Sequence, residues 1–333
     1  MKKYMIMCMA VVALLFASCK NEDISISREV SFNVNPYTVI RDFAKHELNS
    51  GDLVTPYPGD RVRVNLFIYD ADGHLVGSEM DYFRDYSQTM FTTKELADGN
   101  YTIVAITSCV ESNYNEYWII KGTEDITNLQ ISWNEDNDYY FGYFTILGVA
   151  QQQIEVSSGH TSYNIDVKPA GSLAINRIRD IHYYNNVYYY VMYGNRDDIN
   201  FSFNSFGDYT CNSLENSYFP QCLNNTINPN ANEFANYSGV ARYAFLLPTG
   251  RTSFRWEALF EDESLGTLYG AISDELSLNV QSGKTYEFVF YLSTLDFSVT
   301  ELGDGMKSEI AGDEFIMMRK EKKMCENLNK TLN

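Results

Sequence analysis

Apolar and polar residues alternate with a period of two along much of this chain. Val30, Phe32 and Val34 alternate with Ser31, Asn33 and Asn35, the pattern of a strand with one buried face. Val62, Val64, Leu66 and Ile68 alternate with Arg61, Arg63, Asn65 and Phe67 in the same way. That second run enters Asp70-Ala71-Asp72-Gly73, where Asp and Gly tolerate positive φ and turn the chain. His74-Leu75-Val76 leads back. Leu96-Ala97-Asp98-Gly99-Asn100-Tyr101 predicts another turn, which feeds Tyr101 to Ile106. This last run is apolar on both faces, so it belongs at the centre of a sheet or sandwich.

Further strands are expected at 118–120, 129–133, 139–149, 163–167, 173–181, 187–193, 243–247, 254–260, 276–280, 286–292 and 297–299. Phe254, Trp256, Ala258 and Phe260 share one face, with Arg255 and Glu257 opposite. Ser282-Gly283-Lys284-Thr285-Tyr286 echoes Asp98-Gly99-Asn100-Tyr101, a weak repeat of one sandwich type. A short helix is expected over 37–48, with Val39, Ile40, Phe43 and Ala44 on one side. Residues 204–236 are rich in Asn, Ser and Tyr with little periodicity, so they read as a long loop or insertion. Glu314 to Leu328 carries charge and Met at helical spacing.

The pattern predicts an all-β chain of two tandem immunoglobulin/transthyretin-like β-sandwich domains after a lipoprotein signal peptide. The expected division is a signal peptide at 1–18, an acidic tether at 19–29, sandwiches at 30–157 and 158–300, and a helical or disordered tail at 301–333.

Lys2 and Lys3 precede an apolar run from Met5 to Phe16, a charged then hydrophobic leader. The run is too short to span a bilayer comfortably. It ends in Phe16-Ala17-Ser18-Cys19, which resembles a lipobox with Phe16 in place of the usual Leu. Cleavage is expected between Ser18 and Cys19, with Cys19 acylated; several acyl chains on one residue anchor stably to lipid. Glu22 and Asp23 follow closely and resemble an acidic surface-export tag; a solvated linker is the alternative.

The chain has 333 residues and a net charge of −19. Without residues 1–18 it has 315, and the loss of Lys2 and Lys3 takes the charge to −21. Such an acidic chain disfavours nucleic acid and anionic phosphate surfaces. The 26 Tyr and 20 Phe suit strands and contact surfaces. Of six Cys, Cys8 leaves with the leader and Cys19 is acylated. Cys109, Cys211, Cys222 and Cys325 remain. Cys211 and Cys222 flank an Asn-rich loop; a disulfide between them is one reading, four separate thiols the other. No C-x-x-C occurs, which argues against a zinc ribbon or thioredoxin site.

Catalytic motifs find little support. His46, His74, His160 and His182 sit in no H-E-x-x-H pattern, and there is no G-x-S-x-G elbow. Paired carboxylates converge in space rather than in sequence, so spacing does not address them. No enzyme activity, cofactor or metal is expected. Asn134-Glu135-Asp136-Asn137-Asp138 lacks regular calcium-loop spacing and reads as a solvated loop. Asp70-Ala71-Asp72-Gly73 reads as a turn. The densest aromatic patch is His182 to Tyr190. Alternation puts Tyr188 and Tyr190 on one face and Val187 and Tyr189 on the other. One set is expected in the core and the other is a candidate ligand or partner surface.

A strand, the turn Asp70-Ala71-Asp72-Gly73, then Leu96-Ala97-Asp98-Gly99-Asn100-Tyr101 and an apolar strand resemble the N-terminal domain of fimbrillin-type pilus proteins of Bacteroidia. The resemblance is nearer to their lipid-anchored fimbrial anchor subunits than to the shaft subunits. Val167-Lys168-Pro169-Ala170-Gly171-Ser172-Leu173 resembles the start of the family's second domain, and the resemblance covers roughly residues 30–300. It implies a non-enzymatic, surface-exposed outer-membrane lipoprotein that anchors or terminates fimbriae. Its partners would be membrane lipid through acylated Cys19 and a fimbrillin-type pilus subunit through strand pairing, with no nucleic acid. Shaft subunits of the family lose an N-terminal segment to an Arg-directed protease. Arg28 and Arg41 stand in that region here, and an anchor that keeps its lipid is expected to stay uncut. The alternative is a glycan-binding surface lipoprotein using Tyr188 and Tyr190, or a tip adhesin.

Overall fold

Alternation at the start of the chain becomes a strand, β1 (Ser27–Asn35), with Val30, Phe32 and Val34 fully buried and Ser31, Asn33 and Asn35 turned outward. The computed structural model describes the backbone of residues 26–39, 58–113, 116–134, 145–179, 186–203, 210–221, 235–236, 240–248, 250–262, 267–273, 276–291, 294, 296–302, 307–311 and 315–319. Side-chain environments are described for those up to residue 175 and for 203, 246, 278–289, 291, 294 and 298–301.

Nearly all regular structure among these residues is strand. After β1 come β2 (Arg61–Tyr69), β3 (Leu75–Phe83), β4 (Met90–Ala97), β5 (Gly99–Val110), β6 (Trp118–Lys121) and β7 (Gln130–Trp133). Next are β8 (Leu147–Val156), β9 (Ser162–Asp166), β10 (Lys168–Pro169), β11 (Gly171–Arg179), β12 (Asn186–Ser202), β13 (Thr210–Gln221), β14 (Ala235–Asn236) and β15 (Val240–Pro248). The rest are β16 (Gly250–Asp262), β17 (Thr267–Ser273), β18 (Leu276–Val280), β19 (Thr285–Tyr291), β20 (Asp296–Leu302), β21 (Lys307–Ala311) and β22 (Phe315–Arg319). No helix among the described residues is long and apolar enough to cross a membrane.

Four sheets result. Their strand orders are β4-β1-β9, β10-β8-β5-β2-β3, β14-β15-β11-β19-β20-β21 and β22-β17-β16-β12-β7-β6, with β13 and β18 attached to the last through β12 and β16. β5 lies between β2 and β8, the central place its two apolar faces predict. β9, just past residue 157, pairs in parallel with β1. β7, well before it, pairs with β12.

The buried cluster runs continuously from Val30, Phe32 and Leu66 through Ile103 and Val149 to Leu173, Leu246 and Phe288. The Phe32 ring stacks on Tyr163 at 6.0 Å. Each such side chain contributes about 1.5–3 kcal/mol by leaving water. The second face of β2 is also covered: Arg63 is 3 % exposed and Asn65 6 %. The Arg63 guanidinium pairs with Glu116 and donates to Ser108 Oγ at 3.3 Å and to the Trp118 carbonyl at 2.8 Å. Trp118 meets Trp133 edge-on at 5.3 Å.

Three sequence expectations need correction. Within 204–236, read as a loop, Thr210–Gln221 is β13, held antiparallel along β12. Its Asn and Ser content is overridden by a long neighbouring strand with an edge to fill. The expected tail contains β21 and β22, paired with β20 and β17; Phe315-Ile316-Met317-Met318 satisfies a sheet edge in place of a helix face. Of the strand expected over 139–149, residues 139–144 lie outside the described residues; Thr145 and Ile146 precede the strand, which runs from Leu147 to Val156. The expected helix at 37–48 lies largely outside the described residues, as do 320–333.

Candidate functional site

Three places gather exposed or unusual chemistry: the sheet around β1, the turn after β2, and the edges β3 and β4. In the first, β1 lies between two partners. It pairs antiparallel with β4 from Ser27↔Ala97 to Val34↔Met90 and parallel with β9 from Ser31↔Ser162 to Asn35↔Asp166. Arg28 grips both carboxylate oxygens of Asp98, with Nη2 donating at 2.8 Å. The guanidinium keeps the Asp98 carboxyl below the ordinary carboxylate range. Asn33 Nδ2 donates to Asn164 Oδ1 at 3.0 Å and Asn35 Nδ2 to Asp166 Oδ1 at 3.1 Å, tying β1 to β9 on the outer face.

The turn after β2 closes on itself. Asp70 Oδ1 accepts from the amides of Asp72 at 3.0 Å and His74 at 2.9 Å, and the Gly73 amide donates to the Asp70 carbonyl at 3.1 Å. Gly73 takes φ of 90°, a value that favours glycine. Segment 124–126 clamps the turn: the Ile126 amide donates to Gly73 O at 2.9 Å and the Leu75 amide to Glu124 O at 3.0 Å. Asp70, Asp72 and His74 bring ligand-type atoms within 4.8 Å of one another. The Asp70 oxygen already serves the turn's own amides. Asn134, from the acidic run, closes the β6–β7 hairpin through Nδ2 to the Glu116 carbonyl at 2.9 Å; residues 135–138 lie outside the described residues.

β3 and β4 are edge strands of different sheets, bridged by Lys94 to Glu79 at 2.6 Å. They carry the large exposed apolar side chains Val76 (47 %), Met80 (50 %) and Phe91 (69 %). Beyond Leu75, whose amide is taken by Glu124, no described strand pairs with the outer edge of β3. The period-two reading stopped at Val76 and missed this edge, whose signal is the apolar pair Val76 and Met80 among polar neighbours. A trough of about 540 Å³ also opens where β5 and β8 run beside the Asp70 turn.

Of the residues singled out in the sequence, Ser18, Cys19 and Cys222 lie outside the described residues, as do Arg41 and Cys325. Tyr188 and Tyr190 are on β12, whose register against β16 shifts between Val187 and Tyr189, so alternation starts afresh at Tyr189. Their side chains are not among those described. Cys211 lies on β13 opposite Phe201. Cys109 is a buried free thiol, 3.7 Å from the Tyr86 hydroxyl.

A family model described as fimbrillin-A associated anchor proteins Mfa1 and Mfa2 matches residues 55–207. No curated protein matches the chain. Among solved structures, the fimbrial anchor protein Mfa2 of Porphyromonas gingivalis is 13 % identical, over 85 % of this chain and 99 % of that one, with a TM-score of 0.45. A candidate polysaccharide-binding protein of Bacteroides thetaiotaomicron is 10 % identical, over 89 % of this chain and 99 % of that one, with a TM-score of 0.48. A candidate adhesin of the same species is 12 % identical, over 84 % and 97 %, with a TM-score of 0.45. The stretch that resembles the fimbrillin-A associated anchor proteins, residues 55–207, holds the Asp70 turn, the Leu96–Tyr101 turn and the central strand β5.

Proposed function

We propose that this protein is a non-enzymatic surface lipoprotein that anchors or terminates a fimbria. Acyl chains on Cys19 hold its base in the outer membrane, and a sheet edge or groove accepts an extended strand of a fimbrillin-type subunit. The match of residues 55–207 to fimbrial anchor proteins carries the reading. The two-sandwich division near residue 157 is part of the same proposal.

The placing of β1 supports it. An anchor must keep the chain continuous from its lipid into the fold. β1 begins eight residues after Cys19 and buries Val30, Phe32 and Val34 completely. The two arginines are not equivalent in this light. A cut after Arg28 leaves Glu29–Asn35 attached to the fold, whereas only a cut after Arg41 releases the whole strand. Arg28 is also held in a paired strand, a poor substrate shape for a protease that needs an extended, accessible chain. We place strand acceptance at β3, because Val76 and Met80 give an added strand apolar contacts beside main-chain hydrogen bonds.

The test is intact mass and N-terminal mapping of the protein from native outer membrane, with co-purified partners identified. Acylated Cys19 with a fimbrillin-like subunit in stoichiometric amount is the expected result. An unlipidated chain beginning after Arg41 would overturn the anchor reading.

A further inference from the structure

We propose that the free edge of β3 selects its partner strand by sequence, taking a segment in which apolar residues alternate with Lys or Arg. This rests on the reading that β3 accepts a strand, and names the chemistry of that strand.

The free run is Val76 to Asp81. The position before it is occupied, since the Leu75 amide donates to Glu124 O at 3.0 Å. Among the described strands β3 pairs with β2 alone. Six extended residues span about 20 Å, the length of an ordinary strand.

Register gives this edge two different faces. Glu79 stands opposite Leu66 and Asp81 opposite Val64. Leu66 and Val64 are fully buried, so both acids lie on the inner face of the sheet. Lys94 reaches Glu79 from β4 at 2.6 Å. Among the described residues no cation pairs with Asp81, whose carboxylate accepts only from the adjacent Tyr82 amide at 2.8 Å. Ser78 and Met80 stand opposite Phe67 and Asn65, and alternation puts Val76 with them on the outer face. Val76 is 47 % exposed and Met80 50 %.

These faces select the occupant. An added strand sets every second residue about 5 Å from Val76, Ser78 or Met80, and the others beside Glu79 and Asp81. Apolar side chains in the first set cover Val76 and Met80. Lys or Arg in the second set meets Asp81, where opposite charges across a ladder stabilise and like charges repel. Inward acids at an edge also exclude unwanted strands. A second copy adding its own β3 would bring two more acids to this edge, and a net charge of −19 opposes self-association further. The occupant is therefore a basic segment of a different chain, with apolar residues at alternate positions.

The test is a binding titration of the full-length chain in detergent with four capped octapeptides. Three alternate Val with Lys, Val with Glu, and Ser with Lys; the last carries its Lys and Val in two blocks. The Val–Lys alternation is expected to bind saturably, about tenfold tighter than the other three, and to slow amide exchange over residues 76–81. Val76→Ser combined with Met80→Ser is expected to weaken it about fivefold, and Asp81→Lys to move the preference to the Val–Glu peptide. Glu155→Lys, the same charge change on β8, should leave affinity within about twofold. All four positions are exposed, so melting temperatures are expected to stay unchanged. Equal binding of the alternating and block peptides, an unchanged preference in Asp81→Lys, or protection away from 76–81 would overturn the proposal. A pilus subunit that co-purifies equally with the unaltered protein and with Asp81→Lys would overturn it while the anchor reading stands. The peptide preference without any co-purified pilus subunit would uphold it while the anchor reading falls.

Discussion

The Leu246 backbone amide donates to Thr145 Oγ1 at 2.7 Å, joining residues 101 positions apart inside the buried core. Thr145 is itself fully buried, and its carbonyl accepts from Trp118 Nε1 at 3.2 Å. One residue therefore links β15 to the Trp118–Trp133 corner beneath β2.

Replacing Thr145 by Val keeps the shape and removes the acceptor, which leaves the Leu246 amide buried and unpaired. Such a loss costs about 1–3 kcal/mol. Chemical denaturation is expected to show that destabilisation for Thr145→Val and a smaller one for Thr145→Ser.

Phe32 is fully buried on β1 and stacked on Tyr163. Phe32→Ala opens a cavity between β1 and β9, and substitutions of this kind cost about 3–5 kcal/mol. The protein is expected to unfold at markedly lower denaturant, with limited proteolysis beginning around β1. An unchanged midpoint would mean that β1 does not hold its sheet together.

At Gly148, an added methyl would meet Val39, Thr107 and Val167 side chains at under 3.0 Å. Gly148→Ala is expected to destabilise by about 1–3 kcal/mol through overpacking. Gly159 meets nothing within 4 Å, so Gly159→Ala should leave stability within about 0.5 kcal/mol. Paired melts of the two variants check this contrast.

Burial pushes the Cys109 thiol up from 9.0 to about 12, and the Tyr86 hydroxyl beside it moves in the same direction for the same cause. The thiolate is the reactive form. Native protein at pH 8 is expected to leave Cys109 unalkylated by iodoacetamide, while urea-unfolded protein reacts fully. The sign for stability follows. Well below pH 9 the thiol is predominantly neutral in both states and its contribution is nearly constant. Between pH 9 and about 12 only the unfolded chain ionises, so stability falls as pH rises. Cys109→Ala should flatten that fall in denaturation curves taken across this window.

Cys19→Ser is expected to move the protein from the membrane fraction to the soluble fraction and abolish palmitate labelling. Fractionation with labelled palmitate checks both.

Local chemistry was readable from the chain, and distant partnership was not. The Asp70–Gly73 turn was legible because one carboxylate and its neighbouring amides make it. Val30, Phe32 and Val34 were legible because one face is apolar and the other is not. Arg63 and Asn65 read as the wet face of β2, and they are buried because the segment around Glu116 and Trp118, some fifty residues on, covers them. β13 was missed for a similar reason: its own residues are poor strand formers, and β12 supplies the order. The trough depends on Asn100 meeting Glu155 across a ladder, a register that composition does not carry. The leader and Cys19 rest on contiguous motif residues alone.

The sandwiching of β1 has a mechanical consequence. Tension applied at the N-terminal side of the chain enters the fold along the axis of this strand. Its rungs to β4 and β9 then share the load in shear, and many must fail together before the strand slides. Strands peeled from one end yield rung by rung at far lower force. Antiparallel pairing on one flank and parallel pairing on the other make this entry point suited to a molecule that is pulled.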